Sequence, residues 1–145
     1  SLRKNLPNLG LLKMNILFVD MHNKFRSKVA EAICKKLIGD SIGVKSCGMI
    51  LDLMRPYVCQ NVHITLNNLG YRIDNDQPRQ LYRQDFEWAN KIVVVGKGFP
   101  VNVFERVKEK VIFWDVDGAL EEEKEKIEVI VKDIEKRVKI FVKSI

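Results

Sequence analysis

The chain has 145 residues, of which 46% are hydrophobic and 30% are charged. This composition fits one globular domain with an apolar core and argues against a disordered chain. The apolar runs are too short to cross a bilayer, so we expect no membrane partner. The three cysteines, Cys34, Cys47 and Cys59, are odd in number and lack CxxC spacing. They predict neither a disulfide framework nor a zinc site, and they favour a reduced, cytoplasmic location.

The formal net charge of +6 raises the question of nucleic-acid binding. The basic residues are interleaved with acidic ones along the chain, and no basic run is flanked by aromatic residues. Such a pattern is not typical of a nucleic-acid interface, so we expect no nucleic-acid partner. Attraction to acidic or phosphorylated partners is the milder consequence of the charge.

The first part of the chain divides into a leader and the start of a domain. Residues 1–13 show no clean period and are predicted to be a leader, ahead of one domain at residues 14–145. Residues 15–19 form a compact apolar run that predicts a buried parallel strand. From Ser27 the apolar residues fall at helical spacing, and Gly39 is expected to end that helix.

The rest of the chain continues this alternation of strand and helix. The predicted elements are a strand at 44–47, a helix at 55–70, a helical turn at 85–89, a strand at 91–95, a short helix at 101–107, a strand at 111–114 and an amphipathic helix at 120–142. Strands that are apolar throughout and alternate with helices predict an α/β fold, with a parallel sheet covered on both faces.

Ligands of such sheets bind beyond the carboxyl ends of the strands. That rule points to residues 20–27, 96–98 and 115–118. The first of these loops, DMHNKFRS, lies between a strand and a helix N-terminus, where inward-pointing amides and the helix dipole form an anion cradle. Arg26 could grip two phosphate oxygens in a bidentate fork. Taken alone, it could equally be a surface charge.

The same loop resembles that of the low-molecular-weight protein tyrosine phosphatases and the related arsenate reductases. In that family an apolar strand precedes Cys, five residues, Arg and Ser, and here the frame reads Asp20, five residues, Arg26 and Ser27. The further matches are Asn23, the AEA of 30–32, the SCG of 46–48, Gln80-Leu81, Asp85, Trp88-Ala89 and Trp114-Asp115. The resemblance covers residues 14–143. It implies a flavodoxin-like three-layer sandwich with a four-stranded parallel sheet in the order 2-1-3-4.

The resemblance also implies roles for the loop residues. The expected phosphate-binding residues are Met21, His22, Asn23, Lys24, Phe25, Arg26 and Ser27. Asn23 would hold the loop's shape and Ser27 would support the nucleophile. Asp117 is the closest match to the family's general acid, although Gly118 stands where the family has proline, and Asp115 is the rival. The family uses no cofactor, and its substrate here would be a phosphotyrosine protein or a small phosphomonoester.

Asp20 stands at the position of the family's nucleophilic cysteine, so the resemblance leaves enzymatic activity open. The chain could be a catalytically impaired, phosphatase-like protein, or a true phosphatase in which the cysteine has been replaced. It could also be a phosphomonoesterase that uses the Asp20 carboxylate, or a non-catalytic binding or regulatory module. Asp20 could itself fill the cradle as an internal anion, paired with Arg26 and the loop amides.

A second stretch of the sequence suggests a different class of phosphatase. Residues 111–120, VIFWDVDGAL, resemble the haloacid-dehalogenase signature, in which the first Asp accepts a phosphoryl group in the presence of Mg²⁺. Ala119 stands where that signature has threonine. The signature lies on the first strand of a larger fold, whereas only one predicted helix follows here, so context disfavours this interpretation.

Overall fold

A computed structural model of the chain describes residues 14–145, except for the side chain of Val101. The predicted leader at residues 1–13 lies outside the described residues. The described part contains a parallel sheet of β1 (Asn15–Asp20), β2 (Gly43–Gly48), β3 (Lys91–Val95) and β4 (Val111–Trp114). The strands are ordered β2-β1-β3-β4, which confirms the predicted α/β, flavodoxin-like architecture.

Helices cover both faces of this sheet. The α-helices are α1 (Arg26–Ile38), α2 (Gln60–Asn68), α3 (Arg83–Trp88) and α4 (Lys124–Lys143), and 3-10 helices span Gly39–Ser41 and Val101–Lys110. Helices α1, α2 and α4 pack on one face, while α3 and the longer 3-10 helix pack on the other. Within residues 14–145, no helix is both long enough and apolar enough to cross a membrane.

The central strand β1 explains why two apolar layers form. Ile16 and Phe18 belong to the core beneath α1, α2 and α4, whereas Leu17 and Val19 belong to the core beneath α3. All four side chains are fully buried. A strand with apolar residues on both faces can be stable only between two covering layers, so this sequence requires the sandwich.

The second α-helix starts later than predicted. The sequence pattern placed its start at Arg55, but α2 begins at Gln60. Asp52 Oδ1 accepts a hydrogen bond from the Arg55 amide at 3.2 Å, and Asp76 Oδ1 accepts one from the Val58 amide at 2.8 Å. These side chains satisfy amides of an irregular segment, which therefore remains a loop.

The last helix also starts later, at Lys124 instead of Leu120. Glu123 Oε1 accepts a hydrogen bond from the Leu120 amide at 2.7 Å, which stabilises a turn before the helix. Glu121 in the same turn forms an ion pair with Arg55 at 2.8 Å. The turn is thereby held against the loop that precedes α2, and together they form two walls of a cleft.

Candidate functional site at the carboxyl edge of the sheet

The Asp20 carboxylate is enclosed by the loop that follows β1. Its side chain is at the end of the strand, and the residue is 2% exposed. Oδ1 accepts a hydrogen bond from the Asn23 amide at 2.7 Å, and Oδ2 accepts one from the Ser27 amide at 2.9 Å. Asp20 therefore occupies two backbone amides that the loop and the first turn of α1 would otherwise offer to an anion.

Asn23 holds the loop to its surroundings. Its φ of 54° lies in the left-handed region, which asparagine tolerates better than most residues. The buried side chain donates from Nδ2 to the hydroxyls of Ser27 and Ser46, each at 2.8 Å. Its Oδ1 accepts a hydrogen bond from the Arg79 amide at 2.8 Å. One side chain thus connects the loop to α1, to β2 and to the segment before α3.

A buried lysine supports this arrangement from behind. Lys28 is 4% exposed, and its ammonium donates to the carbonyl oxygens of Asn75 at 2.7 Å and Gln77 at 2.8 Å. Burial lowers the pKa of Lys28, and the neighbouring carboxylate of Glu31 opposes that shift. No signal in the sequence indicates this role of Lys28, because a lysine in an amphipathic helix is normally assigned to its solvated face. Lys28 fixes the segment that leads to Arg79.

Arg26 is held by the loops that follow β3 and β4. Its Nη1 donates to the Val116 carbonyl oxygen at 3.0 Å. A Cβ added at Gly96, where φ is +155°, would lie 2.7 Å from Arg26 Nη1, too close for any other residue to fit without displacement. The expected pairing of Asp20 with Arg26 is wrong in this structure, because the guanidinium bonds to a main-chain carbonyl instead. The expected pairing of Asp20 with the loop amides is present.

The two candidate general acids both lie near Lys97. The Lys97 ammonium is 2.8 Å from Asp117 and 3.8 Å from Asp115. Its hydrogen bond and charge lower the pKa of Asp117 below the ordinary range of a carboxyl group. The Asp117 side chain is 60% exposed. The ion pair with Lys97 therefore favours the carboxylate form of Asp117, whereas a general acid must carry a proton when it acts.

The loop lines an open cleft of about 580 Å³. Of the predicted phosphate-binding residues, His22, Lys24, Phe25 and Arg26 line it together with Asp20. Asn23 and Ser27 are buried behind it, and Met21 packs against the core on the α3 side. Asp115 and Asp117 are not among its lining residues. The structure therefore gathers most of the predicted loop residues but not the proposed acid.

The charges around this cleft nearly balance. The basic lining residues are Lys24, Arg26 and Arg55, and the acidic ones are Asp20, Asp52, Glu121 and Glu122. Lys24 pairs with Asp52 at 2.9 Å, and hydrogen bonds from Lys24 and the Arg55 amide lower the pKa of Asp52 to about 2. Among residues 14–145, no group of three or more His, Cys, Asp or Glu side chains could hold a metal ion.

The cysteines lie away from the cleft lining. Cys34 and Cys47 are fully buried. Burial raises the pKa of Cys34 to about 12 and that of Cys47 still further. Cys59 is partly buried and precedes the first residue of α2, so its predicted position inside the helix is wrong.

Three solved structures share this architecture. Wzb of Vibrio vulnificus, in complex with benzylphosphonate, is 19% identical over 91% of this chain and 99% of its own, with a TM-score of 0.81. The Erwinia amylovora tyrosine phosphatase AmsI is 17% identical over 90% and 92%, with a TM-score of 0.81. The YwlE arginine phosphatase from Geobacillus stearothermophilus is 20% identical over 90% and 92%, with a TM-score of 0.76. Likeness at this level of identity shows a shared fold.

Sequence comparison gives the family directly. No curated protein matches the chain in a pairwise search. The family model described as low molecular weight phosphotyrosine protein phosphatase matches residues 15–145, which include the sheet, the loop and both walls of the cleft. The chain therefore belongs to the low-molecular-weight phosphotyrosine protein phosphatase family.

Proposed function

We propose that this chain is a catalytically impaired member of its family, in which Asp20 replaces the nucleophilic cysteine and fills the phosphate cradle. One observation carries the proposal. The Asp20 carboxylate is almost fully buried and accepts amide hydrogen bonds from Asn23 and Ser27, at 2.7 and 2.9 Å. The Asp20 carboxylate therefore already accepts hydrogen bonds from amides that would otherwise donate to phosphate oxygens.

The chemistry of a carboxylate supports the same conclusion. The family's reaction depends on a thiolate, which is strongly nucleophilic at neutral pH. Asp20 is a weaker nucleophile, and each of its oxygens already accepts a hydrogen bond. A phosphate charge about 4 Å from this carboxylate would experience a repulsion of about 4 kcal/mol at an effective dielectric constant near 20. Binding and attack are both disfavoured.

The rest of the cleft offsets this repulsion only in part. Lys24 and Arg55, which could attract an anion, are paired with Asp52 and Glu121. Arg26 remains as the main cation near the loop, and its guanidinium donates to a carbonyl oxygen. We therefore propose a protein that keeps the phosphatase scaffold and acts as a cytoplasmic, non-catalytic binding or regulatory module.

The loop itself retains the family's frame, so we propose latent roles for its residues. Residues 21–27 would bind phosphate or phosphotyrosine once the carboxylate is removed, with Arg26 gripping two phosphate oxygens. Asp117 would then act as the acid, after release from Lys97. The substrate class of such a restored enzyme would be a phosphotyrosine protein or a small phosphomonoester.

Hydrolysis of p-nitrophenyl phosphate tests this proposal. We would compare the unsubstituted chain, Asp20→Cys and the double variant Asp20→Cys/Arg26→Ala, each with and without Mg²⁺. We expect that only Asp20→Cys hydrolyses the substrate and that it does so without Mg²⁺, because only that variant has both a thiolate at position 20 and the Arg26 guanidinium. Turnover by the unsubstituted chain would contradict the proposal, and dependence of that turnover on Mg²⁺ would favour carboxylate chemistry at Asp20. Equal turnover by the double variant would point to a contaminating phosphatase.

A further inference from the structure

A second cavity lies on the α3 side of the sheet. Its floor is formed by Met49, Leu81, Phe86 and Val107, and we call it the distal groove. These side chains are partly buried and pack against the apolar core beneath α3. The distal groove shares no lining residue with the cleft at the phosphate loop. It is therefore a separate apolar depression, and nothing in the proposed function uses it.

The rim of the distal groove is basic. Arg83, Arg106 and Lys110 line it, and Glu87 is the acidic residue among its lining. Lys110 donates to the Phe86 carbonyl oxygen at 3.0 Å. Neither Arg83 nor Arg106 forms an ion pair with any carboxylate in the described part of the chain. Two exposed guanidinium groups beside an apolar floor complement a molecule that has an apolar body and an anionic head.

The size of the distal groove favours a small molecule over a protein surface. Its volume is about 590 Å³, within the range of about 300–1,000 Å³ that is common for small-molecule sites. A stable protein partner would need about 800 Å² of surface on each side. We propose that the distal groove binds a small amphipathic anion, an acyl or aryl chain with one anionic head, held by Arg83 and Arg106.

Titration of the 145-residue chain with octanoate tests the proposal, with amide chemical shifts from ¹H–¹⁵N NMR as the readout. We expect shifts that saturate by about 10 mM ligand and concentrate at Met49, Leu81, Phe86 and Val107. Octanamide has the same chain without the charge and should bind at least about tenfold more weakly, because the guanidinium groups then lose their ionic partner.

A double variant and a matched control complete the experiment. Arg83→Gln/Arg106→Gln should weaken octanoate binding at least about tenfold, because it removes both cationic groups from the rim. Arg72→Gln removes another exposed arginine, which does not line the distal groove, and it should leave binding unchanged. The proposal is overturned by absence of binding, by equal affinity for octanamide, by unchanged affinity in the double variant, or by shifts that map to the cleft.

Discussion

Removal of the Asn23 side chain should strongly destabilise the loop and the fold around it. Substitution by alanine removes its hydrogen bonds to Ser27, Ser46 and the Arg79 amide. Each neutral hydrogen bond contributes about 0.5–1.5 kcal/mol to stability. A Cβ without a compensating polar group in the left-handed region costs about 1 kcal/mol more. Together these contributions predict that Asn23→Ala lowers the free energy of unfolding by about 3–5 kcal/mol.

Urea unfolding followed by circular dichroism measures this change through the midpoint and slope of the transition. Asn23→Gly should recover about 1 kcal/mol of the loss, because glycine adopts the left-handed conformation without strain. Asn67→Ala, at an exposed position of α2, is a matched control and should change stability by less than about 0.5 kcal/mol. A loss below about 1 kcal/mol in Asn23→Ala would refute the assigned role of the buried network.

Three other predictions concern reactivity, pH and the acid. In a thiol-labelling time course on the native protein, Cys59 should react first, because Cys34 and Cys47 are buried and their pKa values are raised; equal rates for all three would contradict this. Burial and the hydrogen bond to Glu135 raise the pKa of Tyr71 to about 12. The contribution of the neutral Tyr71 hydroxyl to the free energy of unfolding should be fully present below about pH 10 and should be lost as the pH rises through about 12. Tyr71→Phe should remove this loss from a plot of unfolding free energy against pH. In the Asp20→Cys background, Asp117→Asn should lower kcat about 10²–10⁴-fold while Asp115→Asn has little effect, and the reverse result would make Asp115 the acid.

The sheet could be predicted from the sequence because its signals are local. The bounds of β3 and β4 match the predicted strands, since each is a short apolar run between polar segments. The loop from Asp20 to Ser27 is also one continuous stretch of chain, so the spacing of Asp20, Arg26 and Ser27 could be compared directly with the family's pattern. The strand bounds and the spacing of the loop residues were therefore predicted well, whereas the starts of α2 and α4 were not.

The contacts that connect the loop to the rest of the fold could not be predicted, because they join distant parts of the chain. Asn23 meets the Arg79 amide across 56 positions, and Lys24 meets Asp52 across 28. The same holds for the ion pair between Lys97 and Asp117, which changes the expected chemistry of the proposed acid. Spacing rules for neighbouring charges on a helix exist, but none indicates which charged residues from distant segments will pair after folding.

The most direct test of the account is the affinity for inorganic phosphate, measured by titration calorimetry. Asp20→Ser removes the carboxylate from the cradle, whereas Glu122→Gln removes another cleft carboxylate, one that neither bonds to the loop amides nor forms an ion pair within residues 14–145. Relief of a repulsion of up to about 4 kcal/mol would raise affinity by up to about a thousandfold, and screening by solvent will reduce that gain. We predict that Asp20→Ser binds phosphate at least about tenfold more tightly than the unsubstituted chain and Glu122→Gln. Equal affinity of all three proteins would show that Asp20 does not occupy the phosphate site.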